Sequence, residues 1–242
     1  MATPLTYFDY ITQVATMAIV PVDDPNYVTI IDSMISYAED RIQRDLDFLA
    51  SQTNISYISV LNAGSSNFFI PLTDFITVQT IQIIKTFLGN EYTTLLPVGK
   101  EYIQNVYGYN SVFYQGTPQY FAMYGADGTN PNNYQIIVGP TSDDSYDAIV
   151  TGTIRFSPLS LVNSQTFIST YLPELFIMAS MIYISAYQRN FGRQSDDPAM
   201  AQSYESQYQA LLKGATVEEF RKKFQSAGWT SYSPSPISSP TR

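Results

Sequence analysis

The chain has 242 residues, with 12 basic against 21 acidic side chains, a net charge of −9 and a sequence pI near 4.3. It contains neither cysteine nor histidine, which excludes disulfide scaffolds, Cys/His zinc sites, thiol nucleophiles, Ser–His–Asp triads and imidazole general bases. The shortage of Lys and Arg argues against gripping nucleic acid through its phosphates, and the 45% hydrophobic content argues for a globular chain.

Ser, Thr, Asn and Gln number 75, against 33 charged residues. Such a surface reads either as interface, in which neutral polar groups and Tyr replace charges, or as compositional drift. The opening MATPLTYFDY has no basic segment and carries Asp9, so no secretory signal is expected. The longest uncharged apolar run, 175–187, is too short to cross a membrane and fits a core helix of a soluble protein.

Helix-start signals come first. Thr3-Pro4, Asp24-Pro25 and Asp197-Pro198 each put a capping side chain before a proline, and Pro173 opens a further helix. Gly192, Gly214 and Gly228 stand where helices should stop. The first helix, about 4–20, shows Phe8, Ile11, Ala15 and Ile19 on one face. The second, about 25–49, shows Tyr27, Ile31, Met34, Ile35, Ala38, Ile42 and Leu46. Its other face bears Glu39, Asp40, Arg41, Arg44, Asp45 and Asp47, a solvated or subunit-facing charge strip.

From Ile55 the pattern turns to β. Residues 55–61, 67–70, 75–85, 118–124, 134–138 and 148–156 are rich in β-branched and aromatic residues and separated by turn residues. A change of phase between Val78 and Ile81 predicts a bulge near Thr80. Ala148, Val150, Gly152, Ile154 and Phe156 alternate with polar residues, as a sheet buried on one side requires. Loops are expected at 126–133 and 141–146.

Helices return at 173–191, nearly apolar all round, and at 198–213 with Met200, Tyr204, Tyr208, Leu211 and Leu212. Thr216-Val-Glu-Glu219 reads as a capping box that opens a short helix with Val217, Phe220 and Phe224 inward. The tail WTSYSPSPISSPTR, rich in Ser and Pro, reads as an extended arm. The expected class is α+β. A helical bundle from the two ends of the chain (1–50 and 165–228) carries an inserted antiparallel β module (51–164) and a C-terminal arm (229–242).

Few residues suggest chemistry. Asp143, Asp144 and Asp147 offer oxygen ligands without the spacing of a calcium loop, and Asp127 with Asn130, Asn132 and Asn133 does likewise; turns explain both better. The pairs Glu39/Asp40 and Glu218/Glu219 read as surface charge rather than glycosidase carboxylates. No phosphate-binding Gly motif is present, so no catalytic, cofactor or metal site is expected. Arg221-Lys222-Lys223 is the only basic run. Residues 1–185 carry a net −11 and residues 186–242 a net +2. The run is either a solvated helix face or a docking end for an acidic partner. Trp229, Tyr232 and Ile237, with Pro234 and Pro236, are apolar anchors for a partner's groove, or belong to a disordered tail.

Six segments in order resemble tailed-phage head–tail adaptors, the connector family that includes tail tubular protein A of short-tailed phages. They are AEDRIQRDL (38–46), FFIPLTD (68–74), GTPQYFAMYG (116–125), IIVGP (136–140), GTIRFSPLSLVN (152–163) and YLPELFIMASMIYISA (171–186). A longer stretch at 98–115 and the neutral, proline-containing tail depart from the pattern. The resemblance implies a structural, non-enzymatic virion protein of the neck, assembled in the host cytoplasm. It implies a ring of twelve subunits bound to the portal, with a tail or nozzle protein below and DNA passing through the central channel. The portal contact then falls to Arg221, Lys222, Lys223, Trp229, Tyr232, Pro234, Pro236 and Ile237. Rival readings are another tail-completion or baseplate protein, a Tyr-rich glycan-binding module and a carboxylate-dependent muramidase.

Overall fold

The computed structural model describes residues 4–71, 73, 75–85, 92–126, 130–187 and 198–226. The helices are α1 (Tyr7–Ala18), α2 (Pro25–Asp45), α3 (Lys100–Val106), α4 (Phe167–Tyr171), α5 (Pro173–Tyr187) and α6 (Pro198–Ser226). The strands are β1 (Gln52–Leu61), β2 (Asn67–Pro71), β3 (Thr77–Lys85), β4 (Tyr92–Thr94), β5 (Leu96–Pro97), β6 (Gln115–Gly116), β7 (Tyr120–Ala126), β8 (Asn133–Gly139), β9 (Thr141–Ser142) and β10 (Tyr146–Thr153). The class is α+β. Met1–Leu49 and Ser157–Arg242 make one compact unit and Ala50–Phe156 the other. Residues 157–164 thus group with the helices.

In the helical unit, α5 is the element against which α1, α2, α4 and α6 pack. Its Leu175, Phe176, Ala179, Met181 and Ile184 are buried, as an almost uniformly apolar helix must be. Tyr10 of α1 stacks on Phe176 at 4.4 Å between centroids, and its hydroxyl pairs with Ser180 Oγ at 2.5 Å. The Tyr27 hydroxyl donates to the Ile11 carbonyl at 2.8 Å, fastening α2 to α1. All seven apolar residues expected inward on the second helix are buried, although it ends at Asp45 rather than near 49, which leaves Leu46 as its extended C-cap. Asp24 caps this helix, accepting from the N–H groups of Asn26 and Tyr27.

The first helix starts later than its Thr-Pro signal suggests. Thr6 is the cap, accepting from Asp9 N–H, and the inward face is Tyr7, Tyr10, Ile11, Val14, Ala15 and Ala18. Phe8 and Ile19, expected inside, are 69% and 78% exposed. The register set by Tyr10 and Val14 turns Phe8 outward at 100° per residue, and Ile19 lies beyond the last helical residue, as a left-handed C-cap.

The C-terminal helix departs further. No break occurs at Gly214: α6 runs for 29 residues, and Thr216 turns its hydroxyl back to the Leu212 carbonyl instead of capping a new helix. Burial of Tyr208, Ala215 and Glu219 along one side holds the helix through the glycine, whose intrinsic cost is only about 1 kcal/mol. That phase puts Val217, Phe220 and Phe224 on the opposite side, all exposed rather than inward.

The β unit has two four-stranded sheets, ordered β1-β10-β3-β4 and β2-β8-β7-β5, and a short parallel pair β6-β9. Leu61, Ile81, Ile83, Tyr146, Ala148 and Val150 of the first sheet share one core with Phe68, Ile70, Phe121, Ile136 and Val138 of the second. The bulge expected near Thr80 is present: Thr151 faces Thr80 and Gly152 faces Val78, leaving Gln79 unpaired. A Cβ on Gly152 would lie 2.2 Å from the Thr77 carbonyl oxygen and 2.7 Å from the Phe75 ring, so only glycine fits. The second sheet is also covered on its far face, where Ile103 of α3 packs on Ala122 and Ile137.

Candidate functional site

The charge strip of α2 is solvated only in part: Arg44, Asp45 and Asp47 are exposed, whereas Glu39 is buried and Arg41 is engaged within its own unit. Glu39 is 3% exposed. Its carboxylate accepts from Leu159 N–H at 3.2 Å through both oxygens and from the Thr166 hydroxyl at 3.3 Å. It therefore ties α2 to the segment that returns from the β unit. Burial pushes the Glu39 carboxyl from its usual 4.5 up to about 7, against the opposing effect of these hydrogen bonds.

Two residues on, Arg41 donates to both oxygens of Glu205 on α6 at 2.6 and 2.9 Å and lies 4.4 Å over the Tyr208 ring. The Tyr208 hydroxyl donates to Asp45 at 2.7 Å. Glu219, read from sequence as surface charge, is buried and accepts from Leu49 N–H at 3.1 Å and from Lys222 at 2.8 Å. These acids fasten helices to one another.

The acidic cluster of the β unit is engaged in the same way. The Tyr146 hydroxyl donates to Asp143 at 2.6 Å, and Lys85 donates to it at 3.3 Å. Burial pushes the Asp143 carboxyl up, but these two donors outweigh it and hold the group below its ordinary value. Asp147 accepts from Ser59 N–H at 2.7 Å. That N–H lies where the β1–β10 register slips, and Asp147 supplies the partner the ladder lacks. No group of three or more acids placed to hold a metal occurs among the described residues.

The predicted partner-binding residues separate. Lys222 pairs with Glu218 and Glu219, both at 2.8 Å, and Lys223 pairs with Asp47. Arg221 is exposed. The basic run is therefore not one patch: two of its cations hold their own unit together. Trp229, Tyr232, Pro234, Pro236 and Ile237 lie outside the described residues, as do Asp197, Gly192, Gly228 and the Asp127–Gly128 turn.

Two exposed features escape sequence reading. On α6, Lys213, Val217, Phe220, Arg221 and Phe224 lie on one outward face, an apolar row flanked by cations. In the β unit, the segment after α3 presents Val112, Phe113 and Tyr114 to solvent, with Phe113 93% exposed. It is held by Asn110, whose side-chain oxygen accepts from Ser66 N–H at 2.8 Å and from the Ser66 hydroxyl at 2.9 Å. Tyr107 packs its ring between those of Tyr102, Tyr114 and Tyr120 beneath it. Both features run against the rule that large apolar groups are inside, and the only sequence signal is apolar residues that fit no core phase. No described helix is long and apolar enough to cross a membrane.

No curated protein matches the chain. Residues 5–231 match a family described as SU10 adaptor protein, a span that takes in the helices at both ends and the whole β unit between them. The chain belongs to the SU10 adaptor protein family, a family of structural phage adaptors, and is thus a component of a phage virion.

Proposed function

We propose that the protein is a head–tail adaptor that forms a ring, of twelve subunits on the family resemblance, joining the portal to the tail or nozzle around the DNA channel. The observation that carries this reading is the family match across nearly the whole chain. Each part of the molecule has a fitting task. The arm anchors Trp229, Tyr232, Pro234, Pro236 and Ile237 reach the portal, with Arg221 the exposed cation at their root. Lys222 and Lys223, engaged within their own unit, stay out of that contact. The exposed Val112–Tyr114 segment of the β unit meets the next tail component, since an apolar tip is suited to a desolvated pocket.

The net charge of −9 supports a channel that repels DNA and lets it slide without sequence-specific grip. Assembly takes place in the host cytoplasm and the product resides in the virion neck. Mixing the full chain with the portal ring of the same phage tests the proposal by co-sedimentation. Combined Trp229→Ala, Tyr232→Ala and Ile237→Ala substitutions should abolish portal binding, and Phe113→Ala should leave it intact but weaken binding of the tail component. A chain that never sediments with the portal contradicts the proposal.

A further inference from the structure

The outward face of α6 has a counterpart on α1. Phe8, Thr12, Thr16 and Ile19 form an exposed row along α1. The Thr12 hydroxyl donates to the Phe8 carbonyl at 2.8 Å and the Thr16 hydroxyl to the Thr12 carbonyl at 2.7 Å. Because both hydroxyls already have partners, covering this row strands no polar group. The α6 row from Lys213 to Phe224 spans eleven steps of helix, roughly 16 Å at 1.5 Å per residue, and the α1 row runs from Phe8 through Thr12 and Thr16 to the C-cap Ile19, a comparable stretch.

Their charges are opposite. Residues 1–40 contain no basic side chain and six acidic ones, of which Asp9, in the first turn of α1, and Asp23, in the turn between α1 and α2, are exposed. The α6 row is bordered by the exposed cations Lys213 and Arg221. Each row exposes large apolar side chains, with Phe8, Ile19, Phe220 and Phe224 all more than half exposed. Two complementary faces on different helices of one unit allow a contact that need not close on itself as a pair. Made head to tail, it repeats around a ring.

We infer that the occupant of the α6 face is a second copy of this chain: Val217, Phe220 and Phe224, with Lys213 and Arg221, dock on Phe8, Thr12, Thr16 and Ile19, with Asp9 and Asp23, of the next subunit. This rests on the ring reading above and names its lateral contact. It separates that contact from the portal contact made by the arm, which leaves the chain just beyond α6.

The chain has no cysteine, so introduced thiols report a single contact. In the full-length protein, Thr12→Cys and Val217→Cys are prepared singly and together and treated with a short bis-maleimide, alone and on the portal ring. Unchanged thermal melts show that the variants fold. The expected result is a ladder of covalent oligomers from the double variant, a dimer band from the mixed single variants, and no adduct from either single variant alone. Rings visible by electron microscopy without a ladder overturn this pairing and leave the adaptor reading standing. Self-linking of the Val217→Cys variant overturns it in favour of a two-fold contact. Failure to assemble at any concentration, with or without the portal, overturns both.

Discussion

Replacing Glu39 by Gln should flatten the pH dependence of stability between pH 5 and pH 8. The folded chain holds this carboxyl at about 7, whereas the ordinary value is 4.5. Between these values the unfolded chain has released the proton and the folded chain still holds it, so stability falls as pH rises through the window and levels off above about 7. At about 1.4 kcal/mol per tenfold change in proton affinity, the loss amounts to about 3 kcal/mol. Gln keeps an oxygen for the Leu159 N–H but has no charge to desolvate. The window is otherwise quiet because the chain has no histidine. Urea denaturation at intervals from pH 5 to pH 8 gives the difference between the two proteins, which should shift in favour of Glu39→Gln as pH rises. A difference that stays constant across the range would mean that Glu39 titrates like a solvated carboxyl, and the reasoning from its burial would fail.

Other consequences concern particular contacts. Gly152→Ala should cost more than about 2 kcal/mol, because the added Cβ meets a backbone carbonyl and a buried ring that cannot both yield; thermal denaturation reads it. Gly214→Ala should stabilise the protein by up to about 1 kcal/mol, since nothing lies within 4 Å of the added Cβ and the helix is continuous there. A loss of stability would restore the helix break expected from sequence. Tyr208→Phe should cost about 1 kcal/mol in urea denaturation, because Asp45 loses one donor but remains partly solvated.

The parts of the fold legible in the sequence are those where one period governs a whole element. Tyr27 to Leu46 repeats at helical spacing with a proline and a capping Asp in front, and Ala148, Val150 and Gly152 share one strand face, so a helix and a strand form there as expected, although the helix ends at Asp45 rather than near 49 and the strand is Tyr146–Thr153 rather than 148–156. Where tertiary packing sets the phase, local signals mislead. Gly214 and Thr216 look like a stop and a start, yet Tyr208, Ala215 and Glu219 pack on one side and carry the helix through. The helix α3 has seven residues, too few for periodicity to register. Glu39 shows the same limit for the candidate site. A carboxylate within a charged strip reads as surface, and only the distant Leu159 and Thr166 make it a buried acceptor. Of the predicted partner-binding set, Lys222 and Lys223 also pair with Glu219 and Asp47, ion pairs that no sequence signal announces.

The most direct test of the adaptor account is mass photometry of the full chain, with and without the portal ring of the same phage, backed by negative-stain imaging. The account predicts rings of about twelve subunits, either free or formed only on the portal. A protein that stays monomeric at every concentration and ignores the portal would contradict it.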